Sequence, residues 1–288
     1  MTIITRLSGG LGNQLFQLSA SLYCASKIFK SSLLLDTRFL GAYETSREFD
    51  LQFILNHLSG ISVYTDGLGI PGWYSKFRLG RLFDKSFGQY AFFNSPSHLL
   101  NLKKSSYKLL VLDGYFQIPE LTFPQTQRLD LFGSLSQEFS YLRRNLSFFG
   151  SVPFVSIHIR RGDFVTSSAA SSVFKTISLN YYRDAARSFP SDALFLVFGD
   201  DPLITGQFAK EVGGVDIATL GLGLKEEFML MALCDHNIIA NSTFSWWAAH
   251  LGDRIGKRVI APSDWYVNPV RSRSNPLLLP HFELLSTL

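Results

Sequence analysis

Two periods alternate along this chain: short apolar runs of strand length, and longer stretches whose apolar residues recur every three or four positions. TIITRL (2–7) reads as a strand, followed by the turn SGGLGN. Leu15, Leu18, Leu22, Ala25 and Phe29 then predict a helix from about 14 to 29. SSLLLD (31–36) is a second strand ending at Asp36, and FDLQFILNHL (49–58) a short helix. From about 60 to 108 the chain is irregular, rich in Gly, Ser and aromatics, and predicts no element. KLLVLDGYFQ (108–117) is a strand running into a loop with Asp113, Tyr115 and Gln117, and a helix fills about 125–146.

The second half alternates more cleanly. PFVSIHI (153–159) is apolar or β-branched except at Ser156 and His158, as in a strand inside a parallel sheet. Helices at about 179–189 and 202–212, strands at 193–198 and 214–218, and a helix ending near His236 follow. NIIA, the turn and helix NSTFSWWAAHL (241–251) and KRVIAP complete the pattern. Such alternation predicts an α/β fold with doubly wound parallel sheets. The turn residues of NLSFFGSVP place a boundary that divides the chain into 1–150 and 151–288.

Composition narrows this picture. The chain has 288 residues, of which 46% are hydrophobic and 17% charged, enough for one large or two moderate cores. The net charge of +4 suits a small anionic ligand, while the absence of Lys/Arg clusters longer than a pair argues against nucleic acid. No apolar run reaches membrane-spanning length, and MTIITRLSGG lacks the apolar core of a signal peptide. The expectation is a cytoplasmic protein, with peripheral contact at the inner face of the membrane left open. Cys24 and Cys234, far apart within apolar segments, read as buried free thiols, and six scattered histidines predict no structural zinc. The sequons at Asn145 and Asn241 carry no meaning without secretion.

The candidate chemistry lies where strands end. Arg160, Arg161, Gly162 and Asp163 close the strand at 153–159, GDDP follows the next, and NSTFSWW a later one. The carboxyl ends of parallel strands share one edge, so these loops can converge on a ligand. Guanidinium grips phosphate oxygens in a fork, although an Arg pair at a strand end also makes ordinary ion pairs. Ser242 and Thr243 offer hydroxyls and backbone N–H groups to an anion, or simply a helix cap. Of the adjacent Trp246 and Trp247, at most one lines a pocket. Asp200 and Asp201 can hold a metal or a ribose, or cap the helix after Pro202. Gly9, Gly10 and Gly12 between strand and helix form a turn that can cradle phosphate. That turn, with Asp36, also suggests an NAD(P)-dependent Rossmann oxidoreductase, but Leu15 occupies the third glycine position of the dinucleotide fingerprint. A non-catalytic protein that binds sugar nucleotides is a third reading. No D-x-D triplet is present to bridge a metal to a sugar diphosphate. Positive charge for a leaving diphosphate would then come from Arg160 and backbone N–H groups.

SGGLGNQLFQ (8–17), DGYFQ (113–117), HIRRGDF (158–164), FGDDP (198–202) and NSTFSWWAAHL (241–251) occur together and in order. In this the chain resembles the inverting α-1,2-fucosyltransferases, bacterial relatives of the blood-group H enzyme. It departs from their pattern at Gly199, where a Ser is frequent, and over 60–108. The resemblance implies a GT-B-type fold, two Rossmann-like parallel-sheet domains facing across a cleft. It also implies GDP-fucose as donor, transfer to the 2-hydroxyl of a terminal galactose on an oligosaccharide or lipid-linked glycan, and no metal or other cofactor. Domain 1–150 would serve the acceptor and 151–288 GDP-fucose. Arg160 would grip the β-phosphate, with His158 and Asp163 in the same pocket. Glu227, with Glu226 competing, would lie near the guanine. Thr243 and Phe244 would line the diphosphate and base, with Asp200 and Ser242 also on the donor side. Asn13 would face the fucose, supported by Gly10, Gly12, Arg161 and Asp201. Asp163 would act as catalytic base or orient an arginine.

Overall fold

The computed structural model describes residues 2–27, 31–38, 40–41, 47–64, 85–87, 90–102, 108–146, 152–162 and 167–287. The chain separates into two compact units, Met1–Leu131 and Phe132–Leu288. Each holds a six-stranded sheet.

In the first unit the strands are β1 (Thr2–Arg6), β2 (Ser32–Asp36), β3 (Ile61–Tyr64), β4 (Lys85–Phe87), β5 (Tyr90–Phe93) and β6 (Leu109–Leu112). Their order is β3-β2-β1-β6-β5-β4, parallel throughout except for the antiparallel pair β4–β5. Helix α1 (Leu11–Lys27) packs on β1 and β2 and buries Ala20 and Cys24 against Ile3, Leu33 and Leu110. The helix begins three residues before the apolar period predicts. Gly9, at φ 76°, turns the chain into it. The segment 60–108, predicted to be irregular, contributes β3, β4, β5 and a helical turn at Pro96–Leu100.

α2 (Gln125–Glu138) and α3 (Ser140–Asn145) replace the single helix expected over 125–146. The division between units falls inside α2, earlier than the 150/151 boundary read from turn residues. The reason is visible in α3, which packs on a helix of the second unit, while Arg143 donates to both oxygens of Asp235 at 2.9 and 3.0 Å.

The second unit is all parallel, with β7 (Phe154–Ile159), β8 (Leu194–Gly199), β9 (Val215–Asp216), β10 (His236–Ile238), β11 (Val259–Pro262) and β12 (Glu283–Leu285) in the order β12-β11-β10-β7-β8-β9. Helices α4 (Leu179–Arg187), α5 (Pro202–Glu211), α6 (Leu224–Leu233) and α7 (Thr243–Leu251) connect them. All six residues of β7 are buried, which is why that strand reads as an uninterrupted apolar run. Tyr181 on α4 reaches under the sheet edge and donates to the carbonyls of Ile239 and Ile260 at 2.9 and 3.1 Å. Trp246 and Trp247 are both fully buried, so neither lines a surface pocket; Trp246 donates to the Leu277 carbonyl at 2.7 Å. β12 has no counterpart in the sequence reading.

The two sheets share a feature that places function. In each, strand order runs outward from a central strand, then resumes on its other side. The break lies between β1 and β6 in the first unit and between β7 and β10 in the second. Ligands of open α/β sheets bind outside the carboxyl ends of strands at such a break.

Candidate active site

β7 delivers His158 and Arg160 to the carboxyl edge of the second sheet, beside the chain leaving β10. Arg160 Nη1 lies 2.8 Å from Asp200 Oδ2, each side chain about one-quarter exposed. Asp200 follows β8, paired with β7 up to Ile159 opposite Gly199. Its other oxygen, Oδ1, accepts from the backbone N–H groups of Arg161 and Gly162 at 2.8 and 3.0 Å. One carboxylate therefore fixes both the guanidinium and the turn that follows it. Asp200, expected on the donor, has both oxygens engaged by the arginine loop. A Cβ on Gly162 would run into Asp200 Oδ2, so only glycine lets the loop sit this close.

His158 is buried, and its Nδ1 has no hydrogen-bond partner among the described residues. Burial, reinforced by the Arg160 charge, pushes its pKa down to about 3. It is a neutral imidazole at physiological pH. Phe244 in the first turn of α7 tilts against it with ring centroids 5.6 Å apart, and Phe228 of α6 meets Phe244 edge-on at 5.5 Å. Tyr182, fully buried on α4, lies under the Arg160 main chain, and burial raises its pKa.

The hydroxyl-rich loop is organised by capping. Ser242 accepts from Phe244 N at 3.3 Å as N-cap of α7, and Asp201 accepts from Ile204 N at 3.3 Å as N-cap of α5. Both residues do what ordinary helix caps do. Thr243 opens the first turn of α7. Asn241, just upstream, is buried and donates to the carbonyls of Lys175 and Trp265 at 2.7 and 2.9 Å, locking three loops at the site edge. The sequence offered Asn241 only as a sequon; its role becomes visible once the three segments meet.

The two glutamates of α6 separate clearly. Glu226 folds back over Gly223 and lies 3.5 Å from Lys225 Nζ. Glu227 is half-buried, its carboxylate with no hydrogen bond or ion pair among the described residues, and burial followed by the Asp216 charge raises its pKa. Asp163 lies outside the described residues.

In the first unit, Asn13 accepts from Gln117 Nε2 at 2.8 Å and rests against Gly9. Gly12 is buried inside α1, and Gly10 has open space where a Cβ would stand, so the backbone demand for glycine falls on Gly9. Two requirements of the dinucleotide reading fail here. Leu15 is core, and Asp36 is held by Arg38 through bonds of 2.9 and 2.8 Å.

Among the described residues no helix is long and apolar enough to cross a membrane. Residues 81–279 match the model of Glycosyl transferase family 11. The O-antigen biosynthesis glycosyltransferase WbnK of Escherichia coli is 28% identical over 93% of this chain and 96% of its own. An alpha-1,2-colitosyltransferase of Escherichia coli is 27% identical over 92% of each. Among solved structures, NodZ alpha-1,6-fucosyltransferase, co-crystallised with GDP, superposes with a TM-score of 0.50 at 16% identity, covering 87% of this chain and 92% of its own. The two parallel-sheet units are thus of the GT-B type.

Proposed function

Because the chain belongs to Glycosyl transferase family 11, and so is a glycosyltransferase, we propose that it moves L-fucose from GDP-β-L-fucose to the 2-hydroxyl of a terminal galactose, with inversion and without a metal. Nothing supports an oxidoreductase. The observation that carries the reading is the Arg160–Asp200 pair at the carboxyl end of β7, the strand that borders the break in strand order of the second unit. It sets a guanidinium of fixed direction where a diphosphate would lie.

In the proposed reaction, galactose O2 forms a bond to fucose C1 as the bond from C1 to the β-phosphate oxygen breaks. GDP leaves with the electron pair, and the hydroxyl proton passes to a base. Arg160 meets the charge that grows on the departing phosphate, an interaction stronger in the transition state than in the ground state. His158, neutral, offers a hydrogen bond without adding charge. In this reading Glu227 accepts from the N–H edge of guanine and Phe244 flanks the base. Asp163 is the proposed base or orienter, the first unit carries the acceptor, and the enzyme works in the cytoplasm, with lipid-linked glycans reached at the membrane face.

The 27% identical relative favours a second donor, GDP-colitose, with the same α-1,2 linkage. Rates with GDP-fucose and GDP-colitose, each with lactose and with type 1 and type 2 disaccharides, in the presence of EDTA, test both readings. Fucose transfer with an α-linked product supports the first. Transfer of colitose alone replaces it, and dependence on added metal refutes the metal-free mechanism.

A further inference from the structure

The loop after β6 in the first unit is held with unusual firmness. Asp113 receives Arg6 Nη1 at 2.9 Å with both side chains largely buried, and its N–H donates to the Phe93 carbonyl at 2.9 Å. Gly114 packs against the Asn94 carbonyl so tightly that a Cβ would lie 2.5 Å from its oxygen. The Gly114 carbonyl accepts from Gln17 Nε2 at 3.1 Å. Gln117 reaches Asn13 in the first turn of α1, which follows β1, the strand beside β6 at the break in strand order.

Phe116 is buried in the core at φ 51°, the sole non-glycine residue at positive φ among the described residues. A bulky residue in the left-handed region is strained and persists where its surroundings over-determine it; such residues cluster at binding and catalytic sites. Within 113–117, Tyr115 is the one exposed residue, 44% accessible, and its ring makes no hydrogen bond or ring contact among the described residues. The chain thus spends backbone strain on a loop whose single unengaged side chain is an outward-facing aromatic ring.

We infer that the Tyr115 ring is the surface on which the acceptor sugar stacks. The inference rests on the galactoside transfer proposed above. A galactopyranose carries the C–H groups of C3, C4 and C5 on one face, an apolar patch that matches the face of an aromatic ring, while its hydroxyls point to the rim. The braced Asn13–Gln117 amide pair, from the first turn of α1 and the loop after β6, supplies polar groups of the kind such a rim needs. A ring on a backbone already fixed loses little freedom on binding, which is what makes rigid aromatics effective anchors.

Steady-state rates with GDP-fucose and lactose test it. Tyr115→Ala is expected to raise the acceptor KM about tenfold, the scale of one aromatic contact, with donor KM, kcat at saturating lactose and Tm unchanged. Tyr115→Phe and Tyr115→Trp should restore the acceptor KM, because the ring carries the contact rather than the hydroxyl. An unchanged acceptor KM overturns the inference. So does a rise confined to the donor KM, which would put the nucleobase on the ring, or a fall in Tm, which would make Tyr115 a packing residue. Saturation-transfer NMR with methyl β-galactoside reads the same contact without turnover. A signal for wild type that Tyr115→Ala abolishes upholds the stacking even if fucose is the wrong donor. Equal signals for both proteins, or none for either, refute it. Failure of wild type to transfer any sugar to any galactoside would instead refute the parent reading.

Discussion

Asp200 grips Arg160 at 2.8 Å with one carboxylate oxygen and, with the other, the N–H groups of the two residues that follow. Forty positions separate the pair in sequence, and the pairing of β7 with β8 closes that gap. A guanidinium held this way is aimed before the ligand arrives, and preorganisation of that kind is where electrostatic catalysis gains most.

Arg160→Ala should lower kcat with GDP-fucose and a β-galactoside on the order of a hundred- to a thousand-fold. Arg160→Lys should remain poor, because the ammonium keeps the charge but loses the planar fork. Near-wild-type turnover in either variant would remove Arg160 from the mechanism.

Asp200→Asn should act through the arginine. The amide oxygen can still accept both backbone N–H groups, but the NH2 that replaces Oδ2 is a donor and cannot hold the guanidinium, so kcat is expected to fall about a hundredfold with the fold retained. Gly162→Ala should behave alike, because its methyl would displace Asp200 Oδ2. Circular dichroism alongside kcat separates this from unfolding.

Gly199→Ser should destabilise the second unit. Its Cβ would collide with the Ile159 carbonyl and lie 2.7 Å from Thr205 Cγ2. Overpacking of this sort costs about 1–3 kcal/mol. A denaturation midpoint equal to wild type would show that β7 and β8 can part without penalty.

Lys257 gives a pH prediction away from the site. Its ammonium is buried, donates to the Ala232 carbonyl at 3.2 Å, and lies among Arg254, Asp253, Asp235 and Cys234; burial lowers its pKa to about 7. The unfolded chain therefore binds more protons than the folded one between that value and the ordinary lysine pKa of about 10.4, so stability rises with pH across that window. Burial pushes Cys24 and Cys234 up to about 12, which works in the opposite direction above about pH 8.5. Tm should accordingly increase from pH 7 toward 8.5. Lys257→Met should flatten that slope and be more stable than wild type at pH 7. Identical slopes in the two proteins would show that the lysine stays charged.

Much of this was legible in the chain. The apolar run of β7 reads as a buried strand because every residue in it is buried, and α1 announces itself by its apolar step. Arg160 and the NSTF loop could be named because they follow the ends of buried strands, whereas His158 stands out only through the family resemblance. What stayed hidden was hidden for physical reasons. β3, β4 and β5 are three or four residues long, too short to establish an alternation, and the three-residue β12 at the sheet edge is mostly exposed. Ser242 and Asp201 look like ligands in the sequence because a cap and an anion site use the same side chains.

By itself the sequence determined the fold class, the two sheets and the loops on which a donor site could be built, since burial period and turn chemistry are local properties written in neighbouring residues. The tertiary structure alone decided that Asp200 serves Arg160, that the Glu227 rather than the Glu226 carboxylate is left unengaged, that Asn241 locks three loops, and that Tyr115 stands exposed beside a Phe116 at positive φ. The Asp200 and Asn241 contacts join segments tens of residues apart, whose distances are set by strand order and register, and no local pattern encodes those.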